Sequence, residues 1–367
     1  MKNVLVVIQL IRRGGVENVA INYALHLDKT KYRVSFLCVG VDGGQDEEYR
    51  EIILNKGYSV FDIPKEYNSL PKKYRYLVGF FKEHHYDIVH SHTIFFSALV
   101  LKVAKRKGVH VRVAHSHISM WNQKETPVYK IYKHVMRKIL NSSANRKLAC
   151  SNAAGIYLYG KREYGKNGIF IANGVDTQHF AYNEQHRQDI RREFLISDDE
   201  ILMGHIGTIY EIKNQAFIVE VLAEYLKLNT SAKLLLVGEP IDSMPVIKKA
   251  EELKVSDRVI FAGQRGDVYK IYSAFDIMVF PSLHEGLPVS LIEAQASKLP
   301  CLVADTVTEE VKFNDNLLFL SLDKSPRVWA DTVSQMLKDD RINVSNDELK
   351  DAYDIKNVIS NLDTVYN

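Results

Sequence analysis

The sequence predicts an α/β protein made of two doubly wound, parallel-sheet domains facing a central cleft. Three observations predict it. The chain has 367 residues, too many for one ordinary core and enough for two. Short, nearly continuous apolar runs alternate with helical patterns almost throughout, as a parallel sheet covered on both faces requires. The alternation also starts afresh near residue 200.

The first apolar run, 4–10, is followed by Arg12-Arg13-Gly14-Gly15 with no small-x-small cleavage pattern, so it reads as a buried first strand and not a signal segment. Further strands are expected at 33–39, 88–90, 109–114, 147–150 and 169–171. A second series is expected at 201–207, 233–238, 259–262, 277–281 and 301–304. Helical patterns at 17–27, 97–107, 215–227 and 246–253 lie between them, giving the repeated βα unit. The polar stretch 176–192 lacks a strand and is read as the linker. The expected domains are 1–180, binding the acceptor, and 181–347, binding a nucleotide. A terminal segment, 348–367, is expected to return to the first domain as a helix, with Ile355, Val358, Ile359, Leu362 and Val365 on one face.

Composition excludes several classes. With 46% hydrophobic and 25% charged residues the chain is not a disordered one. No apolar run approaches the roughly 20 residues of a spanning helix. Cys38, Cys150 and Cys301 are widely spaced in apolar contexts and form no metal motif, which fits reduced core thiols of a cytosolic protein. The net charge of +3 hides an asymmetry. Residues 1–180 carry 28 Lys and Arg against 14 Asp and Glu, whereas residues 181–367 carry 20 against 31. The first half is expected to face something anionic.

Four segments carry chemistry. In Phe280 to Ala294 a strand ends, a loop brings Glu285 and Gly286, and a helix opens with Pro288 at its first position. The free amides and dipole of that helix start suit a diphosphate. Glu293, about 7.5 Å further along at 1.5 Å per residue, could then accept from a ribose. In Gly204 to Asn214, Lys213 sits where the next helix begins and could neutralise a leaving diphosphate. Arg13-Gly14-Gly15-Val16-Glu17 follows the first strand. Its paired glycines suit close approach to phosphate or sugar, but it lacks the three-glycine dinucleotide spacing. In Ala114-His115-Ser116-His117 the two histidines share one strand face, and His92 is a weaker candidate of the same kind. Each segment also has a bland reading, as a solvated loop, a surface lysine or partly buried histidines. No two aspartates are separated by a single residue, so the Asp-x-Asp metal clamp of one large class of sugar transferases is missing.

Together these segments resemble a retaining glycosyltransferase of family 4, with the GT-B fold of two Rossmann-like domains. The likeness includes Gly14-Gly15-Val16-Glu17, Ala114-His115-Ser116-His117, Asn173-Gly174-Val175-Asp176, Lys213-Asn214 and Val237-Gly238-Glu239-Pro240. It continues through Phe261 to Val268 and the Glu285–Glu293 pair. The His-Ser-His element is similar to that of enzymes of bacterial capsule and exopolysaccharide assembly. The resemblance implies transfer from a nucleotide sugar, of UDP type, to a lipid-linked or oligosaccharide acceptor, with retention and neither metal nor other cofactor. It assigns Lys213 to diphosphate charge, Glu285 to the donor sugar and Glu293 to the ribose. Arg265 or its backbone borders the base, Gly15 packs by the diphosphate, and His117 or His115 lies near the transferred sugar. Thr208, Gly286, Leu287 and Pro288 complete the donor contacts. The family usually carries Arg where this chain has Thr208. Two alternatives stay open: a nucleotide-sugar epimerase on the same fold, and a transferase relic that scaffolds a polysaccharide complex, to which Thr208 alone points.

The basic half fits an anionic inner membrane face. Segment 129–140 has helical periodicity with a basic face and an apolar, Tyr-rich one. Segment 70–82 mixes Lys72, Lys73, Arg75 and Lys82 with Tyr74, Tyr76, Phe80 and Phe81. The alternative for both is a core-packed helix with a solvated face. Nucleic acid is not expected, for no motif of that kind is present. The chain is therefore placed in the cytoplasm, peripheral on that membrane.

Overall fold

A computed structural model describes residues 1–12, 15–40, 44–118, 126–229, 231–338 and 341–367. It forms two compact units, Met1–Gly174 with Ile355–Asn367, and Val175–Asp354.

The first unit is a seven-stranded sheet of β1 (Lys2–Ile8), β2 (Tyr32–Cys38), β3 (Ser59–Asp62), β4 (Ile88–Ser91), β5 (Val111–Ser116), β6 (Arg146–Ala149) and β7 (Gly168–Phe170). The order is β3-β2-β1-β4-β5-β6-β7, all parallel. The second is a six-stranded sheet of β8 (Ile201–Ile206), β9 (Ala232–Val237), β10 (Val259–Gly263), β11 (Ile277–Phe280), β12 (Cys301–Ala304) and β13 (Leu317–Leu320). Its order is β10-β9-β8-β11-β12-β13, also parallel. In each sheet the winding reverses beside the first strand, between β1 and β4 and between β8 and β11. Ligands of open α/β sheets bind at the carboxyl ends of such strands. Central strands such as β4, β11 and β12 are buried along their whole length. The three cysteines are buried and not joined in disulfides, and burial pushes the Cys38 thiol up to about 12.

Two strands escaped the sequence reading, β3 and β13. Both are edge strands with half-exposed residues: β3 begins and ends on polar residues, and the four apolar residues of β13 are too few to tell strand from helix. The stretch 176–192 is not a linker. Most of it is the helix Glu184–Glu193, capped by Asn183. It presents little apolar surface and is held by charge. Arg187 Nη2 and Arg191 Nη1 bond Asp276 at 2.7 and 3.2 Å, and Asp276 also accepts from the Leu202 amide at 2.7 Å. The buried Arg191 donates further to the carbonyls of Ser197 and Glu200.

The unit boundaries fall at Gly174/Val175 and Asp354/Ile355, against the expected 180/181 and 347/348. Val175 bridges to Asp354, its amide bonds the Tyr353 carbonyl, and Thr177 bonds the Asp354 carboxylate. The helix Asp347–Tyr353 therefore stays with the second unit. The helix Ile355–Tyr366 buries Ile355, Val358, Leu362 and Val365 on the first. There Tyr32 donates to Asp363 at 2.6 Å, and the Tyr366 hydroxyl meets His90 at 2.8 Å. Among the described residues no helix is long and apolar enough to cross a membrane.

Asp276 ties the charged helix to β8 and β11. Asp276→Ala strands the buried Arg191 guanidinium and should destabilise the second unit by roughly 3–5 kcal/mol in denaturant unfolding. A loss under about 1 kcal/mol would make the network a solvated surface feature.

Candidate functional site

The carboxyl ends of β8 and β11 lie side by side, and their loops are laced together. The Leu283 amide donates to the Ile212 carbonyl at 2.8 Å, and Asn214 Nδ2 donates to Pro281 at 3.2 Å. Asn214 takes the left-handed conformation, φ 55°, and starts the helix Gln215–Tyr225. This turn places Lys213 over the Phe280 ring, with Nζ 5.5 Å from its centroid and 2.6 Å from Glu285 Oε1. Both side chains of the pair are largely withdrawn from water, at 17% and 11% exposed. Gly238, at the end of β9, must be glycine. A Cβ there would lie 2.1 Å from the Gly207 carbonyl oxygen. The Thr208 carbonyl accepts from Gln215 Nε2 at 3.0 Å, which fixes the loop ahead of Lys213.

Gly286, Leu287 and Pro288 lead into the helix Val289–Ala296. Pro288 is the residue before the helix, not its first member, because its ψ of 107° is extended. It has no side-chain oxygen to cap the helix, so the first-turn amides keep their affinity for an anion. One turn on, the half-buried Glu293 accepts from the buried Tyr272 hydroxyl at 2.8 Å. Burial lifts its carboxyl from 4.5 to about 7, although the Tyr272 bond pulls it down.

Arg265, in the loop after β10, is held on two sides. Its Nε bonds Asp267 at 2.8 Å, and its terminal nitrogens bond Glu193. The guanidinium is thus tied to Glu193 and Asp267.

In the first unit, Gly15 heads the helix Gly15–His26 with φ +60°, and the buried Glu17 pairs with Arg12 Nε at 3.3 Å. Arg13 and Gly14 of that motif lie outside the described residues. His115 and His117 share a face, their ring centroids 4.1 Å apart. They do not lie there alone. His90 and His92, from the end of neighbouring β4, complete a patch of four imidazoles. His90 Nε2 meets His115 Nδ1 at 3.2 Å, and His92 Nδ1 meets His117 Nε2 at 2.8 Å. His117 Nδ1 bonds Asn173 at 2.9 Å. His115 is 1% exposed beneath a stacked Tyr23, so of the two predicted histidines the half-buried His117 is the outer one. Burial holds His90, His92 and His115 well below the ordinary imidazole value and His117 at about 4.

Sequence reasoning missed His90, Asn173 and Tyr366 as members of this patch. The repeated tripeptide His90-Ser91-His92 and His115-Ser116-His117 was the available signal. It also missed His205, whose Nδ1 donates to the Val279 carbonyl at 3.0 Å beneath the Lys213 loop.

Residues 13–179 match the family model described as Glycosyltransferase Family 4, and residues 186–353 match that of Glycosyl transferases group 1. The chain is similar to EpsF of Bacillus subtilis (strain 168), named as a glycosyltransferase. The two are 32% identical over 338 residues, 91% of this chain and 87% of that one. It is 25% identical over 310 residues to the UDP-Gal:alpha-D-GlcNAc-diphosphoundecaprenol alpha-1,3-galactosyltransferase of Escherichia coli, covering 80% of this chain and 76% of that one. Its fold is that of Anabaena Alr3699/HepE, solved in complex with UDP and glucose, with a TM-score of 0.80, 16% identity and 99% of both chains covered.

The Glu293 carboxyl fixes a pH dependence. Its native state holds a proton more tightly than the unfolded chain, so this group's stabilisation is full below about pH 4.5 and is lost as pH rises through about 7. The loss should approach roughly 3 kcal/mol at 1.36 kcal/mol per unit. Glu293→Gln should flatten this part of the stability–pH curve. An unchanged slope in the variant would assign the titration to another group.

Proposed function

The chain belongs to glycosyltransferase family 4, and from that membership we propose that it moves a hexose from a UDP-sugar to a lipid-linked saccharide. Transfer retains the anomeric configuration, needs no metal, and serves the assembly of a surface polysaccharide. The observation that carries this reading is the Lys213–Glu285 pair beside the uncapped start of Val289–Ala296. When the bond from the anomeric carbon to the diphosphate breaks, negative charge grows on the leaving oxygen. Lys213 and the helix-start amides meet that charge where it develops. They take the place that a divalent ion holds in Asp-x-Asp enzymes. Glu285, released from Lys213, accepts hydrogen bonds from the sugar hydroxyls, and Glu293 accepts from the ribose. Thr208, Gly286, Leu287 and Pro288 shape the backbone around the diphosphate, and the Arg265 backbone borders the base. From the first unit, Gly15 and His117 serve the diphosphate and the transferred sugar. The UDP of the Anabaena structure and the UDP-Gal and diphosphoundecaprenol of the Escherichia coli relative's name support the donor and acceptor classes.

The acceptor class in turn calls for a lipid surface, and the helix Pro127–Ser143 offers one. Its Tyr-rich face is not the outer one. Met136 and Leu140 are buried, and Tyr132 and Ile139 pack on the core of the unit. A different stripe faces out: Val128, Ile131 and Val135 are 76%, 67% and 48% exposed, next to exposed Lys130, His134 and Lys138. Apolar residues flanked by cations suit an anionic interface. The helix Leu70–Glu83 does not share this character. Its Leu77, Phe80 and Phe81 are buried, and Lys73 donates to the Val39 carbonyl at 2.7 Å, which is the core-packed alternative. Arg137 is likewise committed, to the carbonyls of Tyr157 and Leu158.

Lys213→Ala tests the chemistry. With a UDP-hexose and a polyprenyl-diphosphate saccharide, kcat should fall on the order of 10²-fold, with little change in acceptor KM. An unchanged kcat with chemistry rate-limiting would remove Lys213 from the transition state.

The lipid reading has its own test. Substituting Ala at Lys130 and Lys138 together with Ile131→Ser should release the chain from anionic vesicles, at about 1 kcal/mol per lysine. Turnover of a short water-soluble acceptor should hold. Wild-type protein that fails to co-sediment with such vesicles at low salt would contradict the proposal.

A further inference from the structure

His205 carries a buried lone pair that no hydrogen bond uses. Its ring is 1% exposed near the end of β8 and stacks on Phe280 of β11, with centroids 5.1 Å apart. The Val279 carbonyl, 3.0 Å from Nδ1, can only accept, so the ring carries its proton on Nδ1. Nε2 is then an acceptor, and it is buried without a hydrogen-bond partner. An acceptor left in this condition is costly unless something takes it. Beside it lies the lysine of the donor edge. A Cβ placed on Gly207 would stand 3.4 Å from His205 Nε2 and 3.7 Å from Lys213 Cε. Because residue 207 is glycine, that space between the imidazole and the lysine stem is open. Lys213 Nζ also lies 5.5 Å from the centroid of the same Phe280 ring.

We propose that His205 is the positioning residue of Lys213: in the donor-bound state its Nε2 accepts a hydrogen bond from the Lys213 ammonium and holds that charge at the diphosphate. This role rests on the transfer reading of the same edge. An ammonium has three protons to give, and Glu285 takes one of them at 2.6 Å. In that reading Glu285 leaves for the sugar hydroxyls. Lys213 then loses the contact that fixes it, just as charge begins to grow on the leaving oxygen. A second acceptor beside the stem restores the fixed position, which is what a preorganised charge requires. Being neutral, the imidazole does so without competing with the diphosphate. A carboxylate in its place would neutralise the lysine, and a hydrocarbon would leave it free to swing. Burial holds the imidazole at about 4, and the Lys213 charge acts in the same direction, so the lone pair is present at neutral pH.

Transfer from a UDP-hexose to a polyprenyl-diphosphate saccharide by the full-length chain tests this with two substitutions. His205→Asn keeps a donor for the Val279 carbonyl and has nothing at the Nε2 position. His205→Gln carries an amide oxygen to that position and gives up the Val279 bond. His205→Asn should lower kcat about tenfold with acceptor KM unchanged, and His205→Gln should recover to within about threefold of wild type. A histidine that serves packing alone predicts the opposite order, because the Val279 bond is the one it makes. In the Lys213→Ala background His205→Asn should cost no further kcat, since the two residues act as a unit. Long-range ¹H–¹⁵N spectra of the wild-type chain should show His205 Nε2 shifting upfield at saturating UDP, as an acceptor nitrogen gains a donor. That readout stands even where a variant fails to fold. His205→Asn as active as wild type, full additivity with Lys213→Ala, or an Nε2 resonance unmoved by bound UDP would overturn the proposal. Wild-type chain that neither binds UDP nor transfers would overturn the transfer reading, and this role with it.

Discussion

Everything at the candidate site follows from sheets that are entirely parallel and covered on both faces. The central strands hide nearly every side chain they carry, so their polar groups emerge where a strand ends. In the first unit β4 and β5 end on His90-Ser91-His92 and His115-Ser116-His117. In the second, β8 ends at the Gly207 loop that leads to Lys213, and β11 ends at the loop that carries Glu285. Because β8 and β11 are neighbours at the winding reversal, residues 72 positions apart come to 2.6 Å. The close pass of Gly238 against Gly207 shows how little slack that arrangement has.

The Lys213–Glu285 pair explains how one edge can hold a cation without a ligand and still receive an anion. A half-buried lysine without a counter-charge would be costly, and so would the carboxylate. Each neutralises the other in the free enzyme. In the proposed mechanism a donor diphosphate would replace Glu285 as the partner of Lys213 and leave the carboxylate for the sugar. On that proposal Thr208, where the family usually has Arg, would place more of this neutralisation on Lys213 and the helix start.

Central strands were legible in the sequence because burial on both faces leaves continuous apolar runs, as at β8, β9 and β12. Edge strand β3 was not, since half its surface is wet, and the four apolar residues of β13 were too few to separate strand from helix. The helix Glu184–Glu193 was hidden by its polarity, its attachment being two arginines on a distant aspartate. The loop and helix start after β11 were legible because they are contiguous in sequence from Phe280 to Ala294. What depends on tertiary contact was not. Examples are the committed guanidinium of Arg265, the orientation of Pro127–Ser143, and a histidine patch drawn from two strands 25 residues apart. The sequence showed that this last helix was basic and amphipathic, but not which apolar stripe faced inward.

Calorimetry of UDP against uridine addresses the central claim, that the edge formed by β8 and β11 binds the donor through its diphosphate. The account predicts that UDP binds at least about tenfold more tightly than uridine, a difference of 1.4 kcal/mol, and that Lys213→Ala removes most of that advantage while leaving uridine binding unchanged. Equal affinity for UDP and uridine, or a UDP preference untouched by Lys213→Ala, would contradict it.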